Sequence, residues 1–462
     1  MAGAASAALP PAIEQQLDAA GMPADAMAVL VQRVSDGKVV MAHQPDRPMA
    51  PASTLKLVTT LVGIERLGPV FRGKTELLSA AKPQGEVLTS DLVLRGGGDG
   101  DLDWEAFYRM LQTLRYQGIR EIRGDFLIDR TKFFPARLDI GALPFDDTPE
   151  FRYNVIPDAL LLNTNLIKLD LQSDGNSLAV RVTPPLDGLA IDLDMLLIDG
   201  DCKQWENGWK LPRTTYIDRD VRVRLQGTFP RNCAASTQIN VIDRAQFADL
   251  LFRTLWRHLG GTFAGQTREA AAPAGAQVLA THLGRTLAEG LRDINKPSDN
   301  PLARLLFLTL GTLDGQAEGP TPVRAIREVR NWFRAHNIDD SGLMLDNGSG
   351  LSRSERIKPV QMAGLLAAGL RSNWAPEFLS SMPIRGVDGT FARRPGSANG
   401  AQPSRLKGGT LRDVTSVAGY VPDANGDLCI VVAFINHEKS TSRVGRPIID
   451  AFIDWVGKTD TR

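Results

Sequence analysis

The first part of the chain alternates between apolar runs and short polar turns. Residues 26–34 and 38–42 are rich in apolar side chains, and residues 35–37 (Ser-Asp-Gly) separate them. Two such runs joined by a short polar turn with glycine are typical of a β-hairpin. Residues 53–67 then predict a helix, which Gly68 ends.

The last part of the chain has a similar arrangement. Residues 416–421 and 428–435 are apolar runs on either side of a turn at 423–426, and they predict a second hairpin. Residues 447–456 predict a closing helix. Strands from both ends of the sequence, combined with helices, predict one α+β domain built from the N- and C-terminal parts.

A long strand-rich stretch separates these two parts. Residues 126–129 are largely apolar, and residues 167–172 and 221–226 alternate apolar and polar side chains, so all three predict strands within it. Residues 270–276 are rich in Ala, Pro and Gly, which is typical of a linker. The sequence therefore predicts that most of this stretch is inserted into the α+β domain, and that the chain returns through the linker.

The composition is that of an ordinary globular protein. The 462 residues are 43% hydrophobic and 23% charged, and the formal net charge is zero, which argues against a nucleic-acid partner. Apolar runs stay strand-sized, so no transmembrane segment is expected, whereas peripheral membrane contact stays open. Residues 1–10 lack a basic segment and a sustained apolar run, so we expect no complete signal peptide there.

Ser53 and Lys56 form the first candidate catalytic pair. Side chains three residues apart on a helix point the same way, one turn apart. A neutral amine beside a hydroxyl can take its proton and make the serine a nucleophile, provided that a desolvated, cation-rich site removes the lysine charge. The S-x-x-K pattern is short, and Lys56 could instead be a solvated lysine on a helix. Further sequence motifs are needed to distinguish the two interpretations.

Two later segments complete an ordered set of motifs. Ser298, Asp299 and Asn300 match S-D-N, and residues 407–410 (Lys-Gly-Gly-Thr) match K-T-G with a following hydroxyl, except that Gly408 replaces the threonine. This order of elements is that of serine acyl-enzymes of the penicillin-binding and β-lactamase type. The S-D-N segment is also typical of a helix N-cap, and both interpretations can hold together.

The chain resembles the low-molecular-mass class C penicillin-binding proteins, the D-alanyl-D-alanine carboxypeptidase/endopeptidase family. Beyond the three motifs, blocks similar to those of the family lie at residues 92–99, 118–125, 153–159, 346–353 and 410–420. The resemblance implies an α+β fold. Its penicillin-binding/serine β-lactamase-like transpeptidase domain is split in sequence, with two strand-rich accessory domains inserted.

The resemblance also implies domain boundaries. The catalytic penicillin-binding domain is expected at residues 1–70 and 271–462. Accessory domain II is expected at 71–95 and 165–270, and accessory domain III, nested inside it, at 96–164. The two inserted domains would carry none of the three motifs.

The motif residues receive distinct expected roles. Ser53 is the nucleophile and Lys56 its base. By resemblance, Ser298 relays the proton to the leaving amine, and Asn300 binds the substrate amide and orients Lys56. Lys407 supplies positive charge for the terminal carboxylate of the substrate.

The rest of the third motif is expected to bind substrate. The flexible backbone at Gly409 allows close approach of the strand to the substrate, and the Thr410 hydroxyl would bind the same carboxylate. The backbone N–H groups of Ser53 and Thr410 would form the oxyanion hole. We expect Gly408 to affect β-lactam affinity more than catalysis.

Three charged residues are weaker candidates for substrate binding. By resemblance, Asp147 and Arg353 would help to bind the diamino-acid end of a stem peptide. Arg412 is adjacent to the third motif and is expected to face substrate. An ordinary surface charge is the alternative interpretation of each.

The cysteines bear on the cellular compartment. Family members often carry a pair in the region of Cys202 and Cys233, so a disulfide is expected in an oxidising compartment, with three reduced thiols as the alternative. Cys429 lies in an apolar strand and is expected in the core. The resemblance implies a periplasmic protein, whereas composition also allows a cytosolic one.

The expected activity is cleavage of D-Ala-D-Ala termini on peptidoglycan stem peptides, extending to D-Ala-diaminopimelate cross-links, with β-lactams as inhibitors. No cofactor or metal is expected, because the five histidines show no metal spacing and residues 99–110 lack the glycine and glutamate of a calcium loop. Two alternatives stay open: a serine β-lactamase of the same superfamily and a non-catalytic peptidoglycan-binding scaffold. A homodimer also stays open.

Overall fold

A computed structural model of the chain describes residues 8–315, 318–394 and 404–462. The chain divides into two compact units. The first combines the residues up to Phe71 with those from Thr286 onward, and the second runs from Arg72 to Arg285. The prediction for residues 1–10 lies mostly outside the described residues, which begin at position 8.

The described helices and strands are given in chain order. The helices are α1 (Pro11–Ala19), α2 (Lys56–Leu67), α3 (Trp104–Tyr116), α4 (Arg244–His258), α5 (Leu287–Asn295), α6 (Asn300–Leu310), α7 (Thr321–Ala335), α8 (Pro359–Arg371), α9 (Ala375–Ser381) and α10 (Gly445–Lys458). The strands are β1 (Met27–Arg33), β2 (Val39–His43), β3 (Lys74–Ser79), β4 (Val87–Leu88), β5 (Leu92–Gly97), β6 (Glu121–Ile122), β7 (Phe126–Asp129), β8 (Ile167–Ser173), β9 (Leu178–Thr183), β10 (Leu189–Ile198), β11 (Trp209–Ile217), β12 (Asp220–Pro230), β13 (Ala234–Ile239), β14 (Thr262–Phe263), β15 (Thr267–Glu269), β16 (Gln277–Leu283), β17 (Arg405–Leu411), β18 (Val414–Pro422) and β19 (Leu428–Asn436).

The first unit is built on an antiparallel sheet of order β17-β18-β19-β1-β2. Strand β1 pairs with β19 from Met27 opposite Ile435 to Arg33 opposite Cys429. The strand at the start of the chain therefore lies in the middle of a sheet completed by the end of the chain. Both predicted hairpins and the closing helix α10 are present.

Both faces of this sheet are covered, which explains its continuous apolar strands. In β1, Ala28 and Leu30 pack into a core with helices α2, α6 and α8, whereas Met27, Val29 and Val31 pack into a second core with α1 and α10. Successive side chains of a strand point to opposite faces, so a strand between two helical layers must be apolar throughout.

The second unit contains an extended sheet of order β15-β7-β5-β3-β16, with β5 and β7 parallel. Helix α3 lies between β5 and β7 in sequence, as a crossover between parallel strands requires. Strands β8 to β13 form separate sheets of order β13-β8-β9 and β10-β12-β11.

The strand pairings divide the chain at positions other than the predicted domain boundaries. Residues 96–164 were expected as a nested domain, yet β7 within them belongs to the same sheet as β3 and β5. Strands β8 to β13, between Ile167 and Ile239, form two further sheets, and the short strands β4, β6 and β14 form another. The return to the first unit was expected at residue 271, but β16 pairs with β3, so the return follows Arg285. Pairing between strands that are distant in the sequence produces no local sequence pattern. The predicted domain boundaries therefore differ from the strand pairings of the structure.

The cysteines are arranged as expected. Cys202 and Cys233 form a disulfide in the second unit, and Cys429 is a buried free thiol in β19. Among the described residues, none of the helices has the length and hydropathy needed to span a bilayer.

A buried ion cluster fixes the second unit around Asp158, a residue of the 153–159 block. Arg130 Nε and Arg244 Nη1 donate to the same Asp158 carboxylate oxygen at 2.8 and 2.9 Å, and all three side chains are at most 5% exposed. The second oxygen accepts from the N–H of Leu160. One carboxylate therefore bridges two buried guanidinium groups, while Glu269 contacts Arg130 at 2.8 Å and Asp139 contacts Arg244 at 3.3 Å.

We expect Asp158→Asn to lower the free energy of unfolding by about 3–5 kcal/mol, because it leaves two buried arginines without their shared anion. Urea unfolding followed by circular dichroism measures this. Glu121→Gln is the matched control. It breaks the exposed Glu121–Arg123 pair, which should change stability by less than about 1 kcal/mol. Equal effects of the two substitutions would contradict the role of the cluster.

Candidate active site

Ser53 lies in a tight turn immediately before helix α2. A 3₁₀ turn covers Ala52–Leu55, so the serine precedes the α-helix that was predicted to contain it. Ala52 has a φ of +45°, in the left-handed region that non-glycine residues rarely adopt. The carbonyl of Pro51 accepts hydrogen bonds from the hydroxyls of Thr54 (2.7 Å) and Ser416 (2.6 Å). The turn is thereby fastened to strand β18.

The Lys56 amine contacts Ser53 directly. Lys56 Nζ lies 3.0 Å from Ser53 Oγ, 2.6 Å from Asn300 Oδ1 and 2.6 Å from the carbonyl oxygen of Ser349. The lysine is 0% exposed. The alternative of a solvated helix lysine therefore does not describe this residue.

The surroundings of Lys56 favour its neutral form. Burial lowers the pKa of Lys56 from the ordinary lysine value of 10.5 to about 7. The charges of Asp299 and Glu355 oppose this effect and raise the pKa, whereas Arg304 lowers it. An ammonium loses hydration when buried, which disfavours its charged form. The amine can therefore accept a proton near neutral pH.

The second motif lies between helices α5 and α6, and it does form a helix N-cap. The cap residue is Asp299, whose Oδ1 accepts from Leu302 N at 2.8 Å. Asn300 is the first residue of α6 and directs its side chain to Lys56. Ser298 has a φ of +67° and accepts a hydrogen bond from Lys407 Nζ at 2.7 Å. One short turn thus contacts both lysines.

Lys407 lies on β17 and is also 0% exposed. Its amine donates to Ser298 Oγ and to the Gly408 carbonyl at 3.1 Å. Burial, followed by the charge of Lys56, holds the pKa of Lys407 well below its ordinary value. A bound carboxylate would favour the charged form again.

The two glycines of the third motif have different surroundings. A Cβ on Gly409 would lie 2.6 Å from Ser53 N, so only glycine lets β17 approach the serine this closely. A Cβ on Gly408 would lie 3.1 Å from the ring of Phe391, on which the Arg394 guanidinium stacks at 4.1 Å. Phe391 therefore occupies space that the usual threonine side chain would need.

Two residues of the 346–353 block and its flank were not expected at the site. Ser349 presents its backbone carbonyl to Lys56, and Glu355 is buried behind that loop. Every residue type has the same backbone carbonyl. The residue type at position 349 therefore does not indicate that its carbonyl contacts Lys56. In the sequence, Glu355 is an acidic residue two positions before the apolar Ile357. This position does not indicate that the carboxyl group is buried.

The remaining substrate-binding candidates are not buried. Thr410 is half-buried and pairs with Thr415 in the β17–β18 register. Arg353 and Arg412 are exposed in the first unit. Asp147 is exposed in the second unit, in a segment that the neighbouring Asp146 holds by accepting hydrogen bonds from Tyr153 and Asn154.

The chain is similar in sequence and in fold to known proteins along nearly its whole length. Over 427 residues, 88% of this chain and 77% of the relative, it is 28% identical to a D-alanyl-D-alanine carboxypeptidase of Actinomadura sp. (strain R39). The fold matches the crystal structure of penicillin binding protein 4 from Haemophilus influenzae. The TM-score is 0.79 and the identity 24%, covering 94% of this chain and 96% of that one.

A second structure of that Haemophilus protein, complexed with a β-lactam, matches with a TM-score of 0.74 and 24% identity, over 93% of this chain and 94% of the other. These matches confirm the predicted fold class. The family model described as D-Ala-D-Ala carboxypeptidase 3 (S13) matches residues 9–456. The chain therefore belongs to the D-Ala-D-Ala carboxypeptidase 3 (S13) family, a family of serine peptidases.

Proposed function

We propose that this protein is a serine D-Ala-D-Ala carboxypeptidase that acts on peptidoglycan stem peptides through an acyl-enzyme at Ser53. The observation that carries the proposal is the wholly buried Lys56 amine, 3.0 Å from Ser53 Oγ, with a pKa lowered to about 7. A group whose pKa lies near the working pH is suited to general acid–base catalysis.

In the proposed first half-reaction, Lys56 takes the hydroxyl proton while Ser53 Oγ attacks the carbonyl carbon of the penultimate D-alanine. The oxygen of the tetrahedral intermediate faces the backbone N–H groups of Ser53 and Thr410. The C–N bond then breaks, the proton reaches the leaving amine through Ser298, and the terminal D-alanine departs. Water hydrolyses the Ser53 ester and restores the enzyme.

Substrate recognition is proposed for the third motif. Lys407, charged again when a carboxylate arrives, binds the free carboxylate of the terminal D-alanine, and Thr410 adds a hydroxyl donor. Asn300 binds the substrate amide as well as Lys56, and the Gly409 backbone lies beside the substrate. For Asp147, Arg353 and Arg412, contact with the stem peptide stays a prediction that rests on resemblance.

We further propose D,D-endopeptidase activity on cross-linked stem peptides, inhibition by β-lactams and a periplasmic location. The β-lactam complex of the Haemophilus relative supports the second, and the Cys202–Cys233 disulfide supports the third, because disulfides persist in oxidising compartments. A homodimer stays a prediction.

The first test is acylation by a penicillin. Intact mass should increase by one drug equivalent in the wild type, and Ser53→Ala should show no adduct, because it lacks the nucleophilic oxygen. Ser354→Ala, at an exposed serine of the same unit, is the control and should acylate normally. An adduct that persists in Ser53→Ala would exclude Ser53 as nucleophile.

The second test concerns Lys56. Acylation of the wild type should rise with pH through about 7, because protonated Lys56 cannot accept the serine proton. Lys56→Met, which keeps the side-chain length, should slow acylation by about 10²–10⁴-fold and remove this pH dependence. Stopped-flow measurement with a fluorescent penicillin between pH 5 and 9 gives both quantities. Acylation that keeps its rate in Lys56→Met would refute the role.

The third test concerns the terminal carboxylate. A charge-assisted hydrogen bond contributes roughly 1.5–3 kcal/mol, so Lys407→Met should lower kcat/KM for a D-Ala-D-Ala peptide by about ten- to hundredfold. The same peptide with a C-terminal amide should be affected less, and Thr410→Val should show a smaller loss of the same kind. Lys38→Met, at an exposed lysine, is the control. Equal losses for acid and amide would show that these residues do not recognise the carboxylate.

A further inference from the structure

Glu355 is a wholly buried carboxyl group that the proposed mechanism does not use. Its side chain is 0% exposed, and Oε1 accepts hydrogen bonds from the backbone N–H groups of Asp346, Asn347 and Gly348 at 3.3, 3.0 and 2.9 Å. Burying a carboxyl group is unfavourable unless hydrogen bonds replace its hydration. Three N–H groups converging on one oxygen meet that need, and they fix the backbone that carries them.

That backbone presents two carbonyl oxygens to helix α2. The Gly348 carbonyl accepts from Thr59 Oγ1 at 2.6 Å, and the Ser349 carbonyl accepts from Lys56 Nζ at 2.6 Å. Residues 56 and 59 are three apart, so they lie on one face of the helix. The loop held by Glu355 is therefore fitted to the helix face next to the nucleophile.

The Ser349 carbonyl decides how the neutral Lys56 amine is oriented. A neutral amine has two N–H groups and one lone pair. Asn300 Oδ1 and the Ser349 carbonyl can only accept, so they take the two N–H groups and leave the lone pair directed at Ser53 Oγ. If the carbonyl moved away, an N–H group could turn toward Ser53 and the lone pair would point elsewhere.

We propose that Glu355 is a positioning residue for acylation: it holds the 346–348 backbone so that the Ser349 carbonyl orients the Lys56 amine. The inference rests on the proposed function, since it concerns the same proton transfer. Glu355 touches neither the reacting atoms nor, in the mechanism above, the substrate. It acts through the position of the Ser349 carbonyl.

An ionised Glu355 would raise the pKa of Lys56, in the direction opposite to the effect of burial. Burial raises the pKa of Glu355, while the three N–H groups favour its ionised form, and Oε2 has no hydrogen-bond partner among the described residues. Among the described residues, charged groups that interact with Glu355 include Asp346, Arg304 and Lys56. The charged groups that act on Lys56 or on which it acts are Asp299, Arg304, Glu355 and Lys407.

Two substitutions separate the hydrogen bonds from the charge. Glu355→Gln keeps an oxygen that can accept the three N–H groups but removes the charge. Its acylation rate above pH 8 should stay within about threefold of wild type, because the three N–H groups keep their acceptor and the Ser349 carbonyl keeps its place. Glu355→Ala removes both, and its plateau rate should fall about ten- to hundredfold.

Glu65 provides the matched control on helix α2. Its Oε2 accepts from Trp332 Nε1 at 2.6 Å and lies 3.3 Å from His336 Nε2, so these contacts are with helix α7 and the residue that follows it. Glu65→Gln and Glu65→Ala should leave the acylation rate and its pH midpoint unchanged, even where stability falls. Stopped-flow acylation by a fluorescent penicillin, with circular dichroism to establish folding, is the measurement for all five proteins.

The outcomes distinguish this inference from the proposed function. A wild type that forms no Ser53 adduct would refute the proposed function itself. If the wild type acylates, the inference is overturned by a Glu355→Ala variant at wild-type rate or by a Glu355→Gln variant as slow as alanine. A slow Glu355→Ala variant together with a Glu355→Gln variant near the wild-type rate would support it.

Discussion

The exclusion of water from the Lys56 amine is the constraint on which the site depends. A buried ammonium loses its hydration, so the amine favours its neutral form near pH 7. Neutral, it retains a lone pair, and two acceptors direct that lone pair at Ser53. The S-x-x-K spacing places the two side chains together, but the burial makes their contact chemically useful.

That burial requires several distant chain segments to meet. Helix α6 supplies Asn300, the loop before α8 supplies Ser349, and strand β17 covers the serine from the other side through Gly409. The pairing of β1 with β19 brings the two ends of the chain into one sheet, although the second unit separates them in sequence. The insertion is compatible with the site because paired strands need not be consecutive in the chain.

Close packing also accounts for the unusual third motif. Gly409 lies against the backbone of Ser53, where any side chain would collide, and Gly408 lies against Phe391. The threonine that the family pattern has at position 408 would need this ring to shift. The absence of a side chain at Gly408 therefore leaves room for the ring of Phe391.

The local features of the protein could be predicted from short stretches of sequence. The hairpin at Met27–His43 follows from two apolar runs around a glycine turn, and the motif residues Ser53, Asn300 and Lys407 follow from short ordered patterns. Tertiary structure decided the rest. The position of β16 in the inserted unit, the Ser349 carbonyl and the buried Glu355 all depend on contacts between distant segments. Such contacts are set by strand pairing and packing, which act between residues far apart in sequence and leave no periodicity or motif in either partner.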